Sequence, residues 1–446
     1  MNGVMEMNYK VALVSLGCSK NLVDSEVMLK IIGENDYTMV TETEKADIVI
    51  INTCGFIESA KQESIDAILE AVELKKSGKV VAIVAAGCLA ERYNQKLLDL
   101  IPELDGVIGV GDYKNINGVL EKVVLGEKIL MSGHQEEVDI DDLPRVISTG
   151  KYTAFLKIAE GCDNRCTYCS IPAIRGKYRS RKFEEVIKEA KLLADSGIKE
   201  IIVIAQDTTR YGLDLYGELK LAQLLVELEK IEGIKWIRLL YSYPDSFTDE
   251  LIEVISKSKK ICHYLDIPVQ HASNKVLKKM ARRTSKGSMT ELFDKLRKEI
   301  PDLVLRTSII VGFPGESDED FEELYNFVKE TGFDRMGVFT YSKEEGTPAY
   351  RMKNHLPEEI KNSRRDQLML LQQDISANKS KSYIGKTLEV LVEKKNGHEY
   401  EGRSYMDAPE IDGIVIFKSY DVLEIGDFAN VKITEATEYD LIGEIK

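Results

Sequence analysis

The stretch "EGCDNRCTYCS" (residues 160–170) sets Cys162, Cys166 and Cys169 in the spacing C-x3-C-x2-C. It overlaps the end of "YTAFLKIAE" (152–160), a β-rich apolar run that reads as a strand, so the three thiols occupy a loop at a strand's carboxyl end. Cysteine-built metal sites ordinarily take four ligands, whether around zinc or a four-iron cube. No fourth donor is close, since Cys262 and His263 lie far downstream. Three thiolates on a four-iron cube leave one iron free of protein, and an open metal position is where a substrate binds. A set of three therefore points to an enzyme rather than a metal store.

Outward from this loop, strands and helices alternate. The strand-like runs are "EIIVIAQ" (200–206), "KWIRLLYS" (235–242), "CHYLDIPV" (262–269), "LVLRTSIIVG" (303–312) and "DRMGVFTYS" (334–342). Amphipathic stretches such as "FEEVIKEAKLLADSG" (183–197) and "DEDFEELYNFVKETG" (318–332) separate them. Repeated βα units predict an open (β/α) barrel over 148–378, with the cysteine loop at the C-terminal mouth, where barrel enzymes keep their chemistry.

Upstream, three apolar runs each end at a cysteine: "YKVALVSLGC" (9–18) at Cys18, "ADIVIINTC" (46–54) at Cys54 and "VVAIVAAGC" (80–88) at Cys88. A fourth run, "DGVIGVG" (105–111), follows, and helical stretches lie between. This predicts an α/β unit over 8–125, a doubly wound parallel sheet covered on both faces. Ligands gather outside the carboxyl ends of such strands. One cysteine there would pass for a small buried hydrophobe; three at equivalent strand ends favour a shared metal site. The acidic, weakly periodic region around "HQEEVDIDDLPRVISTG" (134–150) predicts a linker over 126–147. From 381 to 446 come the short alternating runs "KTLEVLVEKK" (386–395), "EYEGRSY" (399–405), "DGIVIFK" (412–418) and "FANVKITEA" (428–436), which predict a small antiparallel β-barrel.

The chain has 446 residues, 43% hydrophobic and 30% charged, the composition of a soluble globular protein. "MNGVMEMNYK" has no basic region followed by an apolar run, and "VVAIVAAGCLA" (80–90) falls short of a membrane span. A cytoplasmic protein without membrane partners is expected, in which the seven cysteines stay reduced. The net charge of −15 serves nucleic-acid phosphates poorly and a basic partner better.

C-x3-C-x2-C at the end of the first barrel strand resembles the radical S-adenosylmethionine superfamily. Tyr168, before the last cysteine, fits as well, and "SIIVGFPGES" (308–317) is similar to that superfamily's later glycine-rich strand end. The resemblance implies a [4Fe-4S] cluster on Cys162, Cys166 and Cys169 whose open iron chelates S-adenosylmethionine, with Tyr168, Gly312 and Gly315 as cofactor contacts. Taken with "SLGC", "NTC", "AGC" and the small barrel, nearly the whole chain resembles the methylthiotransferases, whose C-terminal barrel is the TRAM domain. That implies a second [4Fe-4S] cluster on Cys18, Cys54 and Cys88. Its open iron would carry a sulfur that one S-adenosylmethionine methylates, while a radical from another opens a carbon to receive the CH3–S group.

Within that family, "SLGCSKNLVDSE" (15–26), "NTCGFIESAKQESID" (52–66), "AQDTTRYG" (205–212), "DIPVQHAS" (266–273) and "GRSYMDAPEIDG" (402–413) resemble the branch acting on a ribosomal protein. The resemblance implies methylthiolation of the β-carbon of an aspartate in small-subunit ribosomal protein number twelve. Charge agrees: residues 381–446 hold 8 Lys and Arg against 14 Asp and Glu, a net of −6. Such a barrel repels phosphate and attracts a basic protein, with Glu410 and Asp412 expected to steer it. Methylthiolation of a transfer-RNA adenosine and a non-enzymatic electron-transfer role stand as alternatives. Arg175, Arg179 and Arg181 meet a substrate carboxylate or form a solvated turn. His271 touches substrate or is a hydrogen-bonded strand-end histidine, and Cys262 is a core residue. "YSKEEGTPAY" (341–350) resembles a family loop of unassigned role. Nothing points to a sulfur or electron donor.

Overall fold

The computed structural model describes residues 8–137, 140–141 and 144–445. The readings of residues 1–7, and of 138–139 and 142–143 within the linker stretch, lie outside the described residues. The first sheet comprises β1 (Lys10–Ser15), β2 (Thr38–Val40), β3 (Ile48–Thr53), β4 (Ala82–Gly87), β5 (Gly106–Ile108) and β6 (Ile129–Met131). All strand pairs are parallel, in the order β2-β1-β3-β4-β5-β6. β3 and β4 are buried at every residue because helices cover both faces. The period of two divides each strand: Ile48 and Ile50 join a core with Val27 and Ile116, while Val49 and Ile51 join another with Ile68 and Leu89.

The edge strands β2 and β6 were not foreseen in the sequence, and each is only three residues long. β6 comes from the stretch read as linker. Further along that stretch Arg145 pairs with Glu26 of the first unit and with Glu189, 2.9 Å away, so the connection is tied at both ends.

The central unit is built on β7 (Thr153–Lys157), β10 (Glu200–Ile204), β11 (Trp236–Leu239), β12 (Ile261–Asp266), β13 (Val304–Val311) and β14 (Arg335–Thr340). These six parallel strands lie in chain order and do not close, which is the predicted open barrel. A short antiparallel ribbon, β8 (Ala159–Glu160) with β9 (Arg179–Ser180), brackets the cysteine loop. One face of the sheet packs on helices through Leu156, Val203 and Leu239. On the other face Ile202, Ile204, Trp236 and Tyr264 join one apolar cluster with Val390, Leu391 and Val392 of the C-terminal unit.

That unit is a closed five-stranded barrel: β15 (Thr387–Asn396), β16 (Glu399–Ser404), β17 (Val415–Lys418), β18 (Phe428–Ala436) and β19 (Leu441–Glu444). Its pairs are antiparallel except β17 with β19, which run parallel, and the sequence reading had missed β19. The barrel docks through a buried carboxylate: Glu200 accepts from Arg238 at 2.9 Å and from Arg403 at 2.6 Å. Among the described residues no helix is long and apolar enough to cross a membrane.

Candidate functional site

In the first sheet β1, β3 and β4 are neighbours, and the chain order switches between β1 and β3. The loops leaving these three strands therefore meet at one end, where open α/β sheets place ligands. Cys18 caps the helix Ser19–Gly33, Cys54 follows β3, and Cys88 opens the short helix after β4. Gly17 has φ +87°, and a Cβ on it would stand 2.7 Å from Cys54 Cβ and 3.0 Å from its Sγ. Gly87 also has φ +87°, and a Cβ there would be 2.2 Å from Asn52 Oδ1. Only glycine suits both the backbone and the close approach. Two buried amides lash the loops together. Asn21 Nδ2 donates to Leu16 O at 2.7 Å and Asn52 O at 3.2 Å, and Asn52 Nδ2 donates to Asn21 O at 2.8 Å.

The other set sits at the mouth of the central sheet. Cys162 N donates to Gly176 O at 3.1 Å and Cys169 N to Cys166 O at 3.1 Å, which turns the loop back on itself and holds its three cysteines on one short segment. Tyr243, just beyond β11, brings its hydroxyl to 3.6 Å from Cys166 Sγ, and Arg282 lies 4.0 Å over the Tyr243 ring. Asn164 donates to Asp207 beyond β10 at 2.7 Å. Tyr168 packs on the cluster of Val276, Met280, Phe313 and Tyr341. Gly312 and Gly315 have φ +75° and +76°, and Cβ atoms on them would meet Lys361 and Lys279.

Arg175 joins the two regions. It lies just past the cysteine loop 160–170, donates to both oxygens of Glu160 at 3.0 Å, and reaches Asp24, Asn21 Oδ1 and Cys88 Sγ at 3.0, 3.3 and 3.4 Å. Lys157 completes a buried quartet, 2.5 Å from Asp24 and 2.9 Å from Glu160. The loop 341–350 supplies a second tie. Glu344 pairs with Lys61 at 3.0 Å and Arg92 at 2.8 Å, and Arg92 donates to Gly55 O beside Cys54 at 2.8 Å. At the loop's other end Ala349 N donates to Thr167 O, beside Cys166, at 2.9 Å. The loop whose role the sequence left open thus touches both cysteine loops.

Among the described residues no three His, Cys, Asp or Glu side chains converge as they would on a single ion. A four-iron cube takes thiolates at separate corners, so soft donors spread over neighbouring loops suit a cluster. Burial pushes the Cys88 and Cys162 thiols up to about 12, and raises Cys54 and Cys169 too. Burial works the same way on Cys18, but Lys20 and Arg175 outweigh it and lower that thiol. Such thiols give up their protons when metal takes their place.

Some sequence readings need correction, those of the arginines and Asp412, while those of Cys262 and of a hydrogen-bonded His271 hold. Arg175 and Arg181 are only 2% and 1% exposed and are paired with Glu160 and Glu189, so they neither form a solvated turn nor stand open to a substrate carboxylate. Arg179 donates to Gln135 O. His271 is buried and accepts from Ser273 N at 2.9 Å, the structural alternative. Cys262 is in the core. Glu410 is exposed, but Asp412 is half-buried and its side chain is turned in against the central sheet, accepting from Tyr264 Oη at 2.6 Å and Ala408 N at 2.9 Å. The pairings of Lys157 with Asp24 and of Glu344 with Arg92, and the tie that Arg175 makes, were not legible because no local pattern marks a contact across 133 or 252 positions.

Three family models match: the Radical SAM superfamily over residues 156–328, the uncharacterized protein family UPF0004 over 10–109, and the TRAM domain over 384–445. Among solved structures, the radical S-adenosylmethionine methyltransferase TsrM from Kitasatospora setae shares the fold at TM-score 0.54 and 14% identity, covering 77% of each chain. The ribosomal protein uS12 methylthiotransferase RimO of Clostridioides difficile (strain 630) is 55% identical over 437 residues, 98% of each chain. That of Thermoanaerobacter sp. (strain X514) is 52% identical, covering 97% of this chain and 99% of its own. Identity at this level over nearly the whole of each chain makes the chain a member of the ribosomal protein uS12 methylthiotransferase RimO family.

Proposed function

We propose that this chain attaches a methylthio group to the β-carbon of an aspartate in ribosomal protein uS12, in the cytoplasm. The family brings S-adenosylmethionine and [4Fe-4S] clusters as cofactors. We assign one cluster to Cys18, Cys54 and Cys88 in a unit spanning 8–125. The other is assigned to Cys162, Cys166 and Cys169 in a unit spanning 148–378, where Tyr168, Gly312 and Gly315 contact S-adenosylmethionine. Residues 126–147 connect these units, and 381–446 form the TRAM unit. When bound, these groups supply the sulfur, the methyl group and the power to remove a hydrogen from an unactivated carbon.

The chain's own residues do the rest. Arg175 places positive charge against Cys88 and Cys18, offsetting thiolate charge that burial disfavours. At Cys166 Arg282 supplies the positive charge, and the neutral Tyr243 hydroxyl lies 3.6 Å from the sulfur. Cys88 and Cys166 are 5% and 8% exposed, while the other four cysteines of the two sets are half-buried, so each set has one thiol shut from water and two nearer the opening. Glu344 and Ala349 hold the two cysteine loops in one relation, as the transfer between two sites requires.

The reading rests on one observation: two sets of three thiols stand at strand ends tied by Arg175. The test is mass spectrometry of ribosomal proteins and transfer RNA from a strain lacking this chain. Loss of a mass increment of SCH2 from uS12 is expected. Its loss from transfer RNA, with uS12 unchanged, would overturn the proposal.

A further inference from the structure

Among the described residues, buried lysines have carboxylate partners, with one exception. Lys61 pairs with Glu58 and Glu344, Lys157 with Asp24 and Glu160, and Lys361 with Glu358. Lys20 is 6% exposed and makes no ion pair among the described residues. Its ammonium rests on the Tyr241 ring instead, 3.1 Å from the centroid. A buried charge without a counter-charge is costly. The position adds to the cost, because Lys20 is in the first turn of the helix Ser19–Gly33, at the positive end of its dipole. The backbone that carries the ring is strained as well: Tyr241 has φ +61°, a left-handed conformation that bulky residues avoid.

The location gives these costs a purpose. Tyr241 and Tyr243 lie on the segment leaving β11. Tyr243 reaches Cys166 in one cysteine set, and Tyr241 carries Lys20 beside Cys18 in the other. Ser19 Oγ, next to Cys18, is 3.5 Å from Tyr241 Oη. The ammonium therefore stands between the two sets, where the carbon receiving the methylthio group has to be. An aspartate's β-carbon is bonded directly to its carboxylate carbon, so a cation that grips the carboxylate also fixes the reacting carbon.

We propose that Lys20, held on Tyr241, takes the carboxylate of the target aspartate and so determines specificity for that side chain; this rests on the function proposed above. The test uses reconstituted enzyme and two forms of uS12, one with the target aspartate and one with asparagine in its place. Native enzyme should prefer aspartate by about 100-fold in kcat/KM, the weight of a charge-assisted contact in a desolvated site. Lys20→Met should fall on the aspartate form alone, so that the preference collapses toward parity, whereas Lys20→Arg should retain it. A Lys20→Met variant slowed equally on both forms would assign Lys20 to balancing the neighbouring thiolates and overturn the proposal. Should that variant lose its N-terminal iron, native enzyme and Lys20→Arg decide, and a ratio near one in either sinks the idea. Native enzyme that modifies neither uS12 form but does modify transfer RNA defeats the function itself. Native enzyme that modifies both uS12 forms equally defeats only the role of Lys20.

Discussion

Replacing Arg175 by Gln tests the joint beneath the N-terminal cysteines. Arg175 and Lys157 face Asp24 and Glu160 at 2.5–3.0 Å, with no side chain of the four more than 8% exposed. Two cations and two anions leave the group neutral. Arg175→Gln leaves one negative charge uncompensated in a dry site, and removing one partner from such a group costs about 3–5 kcal/mol. Glu160→Gln in the same chain restores neutrality, because Lys157 remains paired with Asp24. The double variant should therefore lose at least about 2 kcal/mol less than the two single losses added together. The pH response follows the same charges. Burial would raise the Glu160 carboxyl, but Arg175 and Lys157 outweigh it and hold it far below its usual 4.5. A carboxyl depressed in the folded state contributes stability above its unfolded pKa and loses it as pH falls. Acidification should accordingly weaken native protein more than the double variant. The assay is urea unfolding followed by fluorescence of Trp236, the single tryptophan, with retained iron measured alongside. A cost for Arg175→Gln below about 1 kcal/mol, or strictly additive losses, would refute the coupling.

Reconstituted protein should hold about eight irons, and Cys54→Ala and Cys166→Ala should each leave about four; loss of all iron from either variant contradicts two independent sites. Burial raises the Glu200 carboxyl, but Arg403 and Arg238 bring it from 4.5 down to about 2, a gap worth about 3 kcal/mol. That stability is present above pH 4.5 and lost as pH falls toward 2, so Glu200→Gln should flatten the acid limb of the stability profile, and an unaltered limb would show that the dock does not depend on this charge. Exposed Glu410 and inward-turned Asp412 should separate steering from structure. Glu410→Lys should weaken uS12 binding and reduce its salt dependence, whereas Asp412→Lys should destabilise the barrel's contact with Tyr264. Equal salt slopes for native enzyme and Glu410→Lys would remove Glu410 from substrate steering.

Much of this protein is written locally. The runs ending at Cys18, Cys54 and Cys88 are strands because their apolar residues are continuous, and continuity of that kind demands cover on both faces. C-x3-C-x2-C is legible because its spacing lies within one loop. The short strands β2, β6 and β19 escaped notice because three or four residues carry too little periodicity to separate from a turn. Asp412 misled for a related reason: an acid in "APEIDG" looks like a surface residue, and only the docking of the barrel puts Tyr264 over it.

The sequence alone therefore determined the order of the three units, the strands that bear the cysteines and the number of thiols in each set, since each depends on neighbours in the chain. Tertiary structure decided how the sets face each other and what lies between them. Arg175 against Cys88, Glu344 against Arg92, and Lys20 on Tyr241 are contacts between residues remote in sequence. The preference of a charge for one partner over another depends on burial and distance, which exist only once the chain has folded.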